Sequence, residues 1–91
     1  MMITSHSYIR TIREIKEKKQ QYIQLKEQLK LYKDRVRTGS HDFLIEHIYD
    51  MSYRPLSNQY GFLYLHTNQG MFSYTVTDDP AKFIEEYYKL K

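Results

Sequence analysis

The chain has no cysteine and no tryptophan. Without cysteine there is no disulfide framework, no thiol nucleophile and no thiolate zinc site, a usage in keeping with a cytoplasmic location. Long apolar runs are also missing. The longest, Phe62 to Leu65, is far too short to span a bilayer, so no membrane association is expected. The amino terminus, Met1 to His6, lacks the basic-then-apolar pattern of a secretory signal. Only three glycines and two prolines punctuate the chain, and Ala81 is its single alanine.

What replaces the small residues is tyrosine, of which there are 10, beside 18 Ile, Leu and Val. A tyrosine ring packs while its hydroxyl needs water or a partner, so such rings sit at core margins or at interfaces. With 91 residues the chain is expected to form a single domain, 1–91, with a thin core. Charge is unevenly divided. Residues 1–40 hold ten Lys/Arg and four Asp/Glu, whereas residues 41–91 hold four and seven. A basic amino-terminal half on a mildly acidic body favours acidic partners, phosphate polymers included, or the acidic half of a second copy.

Residues 7–38 read as one long, basic, amphipathic helix. No Gly or Pro interrupts them, and Lys, Glu, Gln, Leu and Arg dominate, all good helix formers. Ser7 is a plausible N-cap and Gly39 falls where a left-handed C-terminal cap would sit. Apolar residues recur at Tyr8, Ile12, Ile15, Tyr22, Leu25, Leu29, Tyr32 and Val36, a mean spacing of about 3.5 that suits a helix–helix seam. Ile9, Ile23 and Leu31 lie off that seam. A helix of this length would run roughly 48 Å, against roughly 30 Å for the diameter of a globule this size. Its overhang would need cover, and residues Tyr22, Leu25, Leu29, Tyr32 and Val36 are the expected self-association seam of a homodimer.

Residues 42–77 read as a β-meander. In 42–53 an extended conformation aligns Phe43, Ile45, His47, Tyr49, Met51 and Tyr53 on one face, although a helix would align Phe43, Leu44, His47, Ile48 and Met51. The strand reading is adopted because the next hairpin would otherwise be a lone ribbon. That hairpin, 60–77, pairs two aromatic and β-branched runs around Asn68-Gln69-Gly70. Asp79-Pro80 then opens a helix over 79–90, with Phe83, Ile84, Tyr87 and Tyr88 on its packing face. The expected fold class is α+β: a long N-terminal helix, a small antiparallel three-stranded sheet and a short C-terminal helix.

Catalytic patterns are weak. His6, His41, His47 and His66 show no metal-ligand spacing, and three consecutive residues such as Ser40-His41-Asp42 cannot converge on one reacting atom. Asp78-Asp79 suits helix capping, and Glu85-Glu86 an exposed helix face. The scattered glycines cradle no phosphate. No catalytic, cofactor or metal residue is therefore assigned, and a small ribonuclease-like toxin built on Arg, His and Tyr is kept as a minor alternative.

On the expected helix, Lys19, Lys26, Lys30, Lys33 and Arg37 would share a sector about 60° wide, bordering the apolar seam. They are the expected partner-binding residues, although snorkelling lysines beside a seam would look the same. The composition points to a non-catalytic interaction protein, a small regulator or inhibitor of the kind carried by phages or mobile elements. It would grip a partner protein with an acidic surface through the basic helix and the Tyr-rich sheet. The alternative is a nucleic-acid binder that sets the same basic row on phosphates, with Tyr60, Tyr64 or Tyr74 as a stacking platform.

Overall fold

Where a long helix is expected, the computed structural model, which describes residues 1–91, has two long strands instead. Strand β1 (Met2–Lys16) and strand β2 (Lys19–Tyr32) form an antiparallel hairpin in continuous register from Thr4↔Leu31 to Lys16↔Lys19. The physical reason lies in the period of the side chains. Ile23, Leu25, Leu29 and Leu31 occupy odd positions, while Gln24, Lys26, Gln28 and Lys30 occupy even ones. That is an alternation of two, and it accounts for Ile23 and Leu31, which a helical seam leaves over. β1 is rich in β-branched residues, Ile3, Thr4, Ile9, Thr11, Ile12 and Ile15, which suit a pleated surface better than a helix. Burial of Leu29 and Leu31 outweighs the modest helix propensity of Lys, Glu and Gln.

The rest of the chain completes one seven-stranded antiparallel sheet. β3 (Arg35–Arg37) and β4 (Asp42–Leu44) are short. A 3₁₀ turn at Ile45–His47 leads into β5 (Ile48–Pro55), which is followed by β6 (Gly61–Thr67) and β7 (Gly70–Val76). The spatial order is β4-β3-β2-β1-β7-β6-β5. The expected three-stranded sheet is therefore corrected to seven strands, and the fold class from α+β with a long helix to a mainly β architecture. Residues 42–53 are extended but not continuously so. The 3₁₀ turn and a register shift between Ile48 and Asp50 put Ile48, Met51 and Tyr53 on the core side and leave Tyr49 exposed. The 60–77 segment is a hairpin, β6–β7, turning at Asn68-Gln69, with Gly70 at φ 118° beside the turn.

The sheet curls tightly. Phe43 on β4 and Phe72 on β7 lie four places apart in the strand order, yet their ring centroids are 4.9 Å apart. A flat sheet would separate those strands by about 19 Å. The concave side encloses the core of Tyr8, Leu29, Leu31, Val36, Leu63, Leu65, Tyr74 and Val76. Helix α1 (Ala81–Lys89) closes it with Phe83 and Tyr87, both essentially inaccessible. The Asp79 carboxylate accepts the Ala81 N–H at 2.9 Å, and the Pro80 carbonyl accepts the Ile84 N–H. The convex side has no layer over it.

β1 and β2 outrun this body. β1 meets β7 only at Ile9↔Thr75, and β2 meets β3 only at Lys30↔Arg37 and Leu31↔Val36. Beyond Arg10↔Leu25 the two strands pair with each other alone and form a projecting arm, about 23 Å long at 3.3 Å per residue. The molecule measures 48 × 28 × 25 Å. Its radius of gyration is 14.3 Å, against about 12 Å for a compact chain of this length.

Candidate binding surface on the projecting arm

Directly paired residues on antiparallel strands share a face. The pairs Tyr8↔Glu27, Arg10↔Leu25, Ile12↔Ile23 and Glu14↔Gln21 continue the concave, core-facing side of the sheet. The pairs Ser7↔Gln28, Ile9↔Lys26, Thr11↔Gln24, Arg13↔Tyr22 and Ile15↔Gln20 lie on the convex, uncovered side. All three acidic residues of the hairpin are off the convex face: Glu14 and Glu27 point to the other side, and Glu17 sits in the turn. Arg13, Lys26 and Lys30 are on it, exposed, and make no ion pair. Between Arg10 and Lys26 the arm carries six basic and two acidic residues, a balance of +4.

The five residues expected to form one basic row are divided by this geometry. Lys26 and Lys30 stand four residues apart on the convex face, about 13 Å along β2. Arg37 pairs with Lys30 in register on the same face, but its guanidinium is held by Asp42 at 3.3 Å and lies over the Tyr32 ring. Lys19 closes the arm opposite Lys16 on the other face, and Lys33 sits in the bend between β2 and β3. The expected amphipathic helix is likewise overturned, and the residues of its seam are dispersed. Leu29 and Val36 are wholly buried in the core, Leu25 is 40% exposed on the concave face of the arm, and Tyr22 is 66% exposed on the convex face. Tyr32 is half-buried beneath Arg37. A seam of helical spacing becomes residues on opposite sides of a ribbon.

Arg13 escaped the sequence reading because a helical wheel sets it apart from Lys26. The two-residue alternation was the available signal. The convex face also continues across the sheet. Phe62 pairs with Thr75, Thr75 with Ile9, and Ile9 with Lys26, so one row runs over four adjacent strands from an aromatic ring to an ammonium group. Its ends are about 14 Å apart at 4.8 Å per strand. Tyr64 stands beside Phe62 with ring centroids 6.0 Å apart, both half-buried. At the base of the arm a groove of about 470 Å³ runs between Thr11 and Gln24 of the arm, Thr75 and Thr77, and the loop residues Gln59 and Tyr60. Tyr74, by contrast, points into the core, so it offers no stacking surface.

The arm is anchored where it leaves the body. The Tyr8 hydroxyl donates to Glu27 Oε2 at 2.6 Å and accepts the Gly39 N–H at 3.1 Å. Arg10 Nη1 reaches the other oxygen of Glu27 at 3.4 Å. A Cβ at Gly39 would meet the Glu27 carboxylate, so a larger residue there would push that side chain away from its bond to Tyr8. Burial first, and then the bond to Glu27, raise the Tyr8 pKa.

Other chemistry-bearing groups are occupied by structure. Ser40 Oγ is 3.0 Å from His41 Nδ1, but Asp42 turns away to Arg35 at 3.1 Å and Arg37, so no carboxylate orients the imidazole. Glu85 and Glu86 both face Lys89. No three His, Asp or Glu side chains converge as metal ligands would. No helix is long and apolar enough to cross a membrane. Comparison with protein-family models, with curated proteins and with solved structures finds no match to this chain.

Proposed function

We propose that the protein is a non-catalytic binding protein whose projecting arm engages an acidic macromolecule. One observation carries this reading: the convex face of the β1–β2 hairpin holds Arg13 on the arm and Lys26 and Lys30 at and below its root, with no acidic residue of the hairpin among them. A two-stranded ribbon with no layer behind it contributes little to its own stability. A stretch of chain that costs conformational entropy and buries little of the core is better explained by what it contacts than by what it supports. Net positive charge on an exposed projection raises the encounter rate with a polyanion and makes binding depend on salt. The occupied roles of Asp42, Asp79, Glu85 and Glu86 agree with a binding rather than a catalytic part.

The test is retention on a sulfated polyanion matrix over a salt gradient, with the triple variant R13E/K26E/K30E beside the wild type. The wild type should elute at clearly higher salt, and thermal melting of the two should agree within a few degrees because these side chains are exposed. Coincident elution would remove the arm from the proposed role.

A further inference from the structure

We infer that the acidic macromolecule is single-stranded nucleic acid, laid across the convex face with its phosphates on the arm and its bases on the sheet. This rests on the reading of the arm as a polyanion-binding element and adds the partner's class. A protein surface or a duplex needs only the charge. Single strands differ because their bases are unstacked and offer apolar planes, and proteins that hold them without sequence preference combine a cationic track with aromatic rings.

Both components occur here on one uncovered surface. The register row Phe62–Thr75–Ile9–Lys26 joins an aromatic ring to a cation across four strands, and Tyr64 extends the aromatic end. The roughly 14 Å between its ends is two nucleotide steps or so, short enough for one strand to span. Helix α1 packs on the concave side, so no layer covers the row, and the loop residues Gln59 and Tyr60 flank it beside Ile9 and Thr75. Arg13 and Lys30 flank Lys26 on the same face, each about four residues away along the strands, and would hold phosphates about two nucleotide steps apart. The charge complementarity selects a phosphate polymer, and the half-exposed rings select one with free bases.

The test is fluorescence anisotropy with labelled 12-mers of oligo(U) and oligo(dT), a mixed-sequence DNA duplex, and polyglutamate, at several salt concentrations. Three phosphate contacts on a single strand predict a log–log salt slope of about −2. R13E/K26E/K30E should weaken single-strand binding at least tenfold. K16E/K19E changes charge mainly on the opposite face and the tip, and should weaken it less than threefold. F62L/Y64L keeps apolar bulk but removes the stacking planes, and should cost five- to hundredfold. Thermal melts check that each variant folds. If polyglutamate or duplex binds as tightly as oligo(U) and F62L/Y64L has no effect, the single-strand inference is overturned while the arm's polyanion role stands. If no probe binds at low salt, both readings fall.

Discussion

Two buried tyrosines show how the same side chain can help or hinder one core. The Tyr87 hydroxyl donates to the Ile48 carbonyl at 2.8 Å, tying α1 to β5. The Tyr74 hydroxyl is buried without any hydrogen-bond partner. Removing the first oxygen leaves the Ile48 carbonyl with the Lys91 ammonium as its remaining donor, so Tyr87→Phe should cost about 1 kcal/mol, the worth of one hydrogen bond. Removing the second relieves a desolvated hydroxyl, so Tyr74→Phe should be neutral or stabilising by up to about 1 kcal/mol. Urea titrations of the two variants check the pair, and equal losses would mean that Tyr74 has a partner after all. Burial pushes both hydroxyls up to about 12. The folded state therefore favours the neutral phenol, and this stability is complete below pH 10. It falls as the pH rises towards 12, because the unfolded chain then ionises first. The urea midpoint should drop over that window, and Tyr74→Phe should blunt the drop.

At the scale of elements, the decisive feature is the turn Glu17-Lys18, whose φ values are 53° and 64°. Two consecutive left-handed residues between Lys16 and Lys19 make a two-residue hairpin of the kind that favours Asn-Gly. Here that conformation is imposed on residues that disfavour it, at roughly 1–2 kcal/mol each. E17N/K18G should therefore stabilise the arm, and amide exchange over residues 11–24 should slow relative to wild type. Unchanged exchange would mean that the turn does not limit opening of the ribbon. The same turn explains what the sequence concealed. β6–β7 is legible because Asn68-Gln69-Gly70 marks its reversal, and α1 because Asp79-Pro80 marks its start. The arm has no such mark, since its turn is spelled in helix-forming residues. Its charged, glutamine-rich strands carry helix propensity on the outside while Leu29 and Leu31 lock the alternation from within. Of the candidate site, Lys26, Lys30 and Arg37 were legible as one basic face, but as that of a helix, which also took in Lys19 and Lys33. Membership of Phe62 depends on strand pairings far apart in sequence, which no local pattern encodes.

For the whole molecule, the question is whether body and arm are separable. The core comprises Tyr8, Leu29, Leu31 and residues from Val36 onward, and nothing between Arg10 and Lys26 belongs to it. Arg10↔Leu25 lies six pairs from Lys16↔Lys19, so it occupies the same phase of the antiparallel ladder. Replacing Thr11–Gln24 by Asn-Gly would therefore close a two-residue hairpin at Arg10 and Leu25 without moving any core side chain to the other face. The shortened protein should melt within a few degrees of the full chain, because it keeps the same buried apolar surface. It should also have a smaller hydrodynamic radius, and its salt-dependent retention on polyanions should weaken, because Arg13, Lys16, Lys18 and Lys19 leave with the ribbon while Lys26 and Lys30 stay. A large fall in melting temperature would mean that the arm braces the body, and its projection would then need a structural explanation instead of a binding one. Equal stability with weakened retention would assign folding to the curled sheet with its helix, and would divide recognition between the face of that sheet and the strands that leave it.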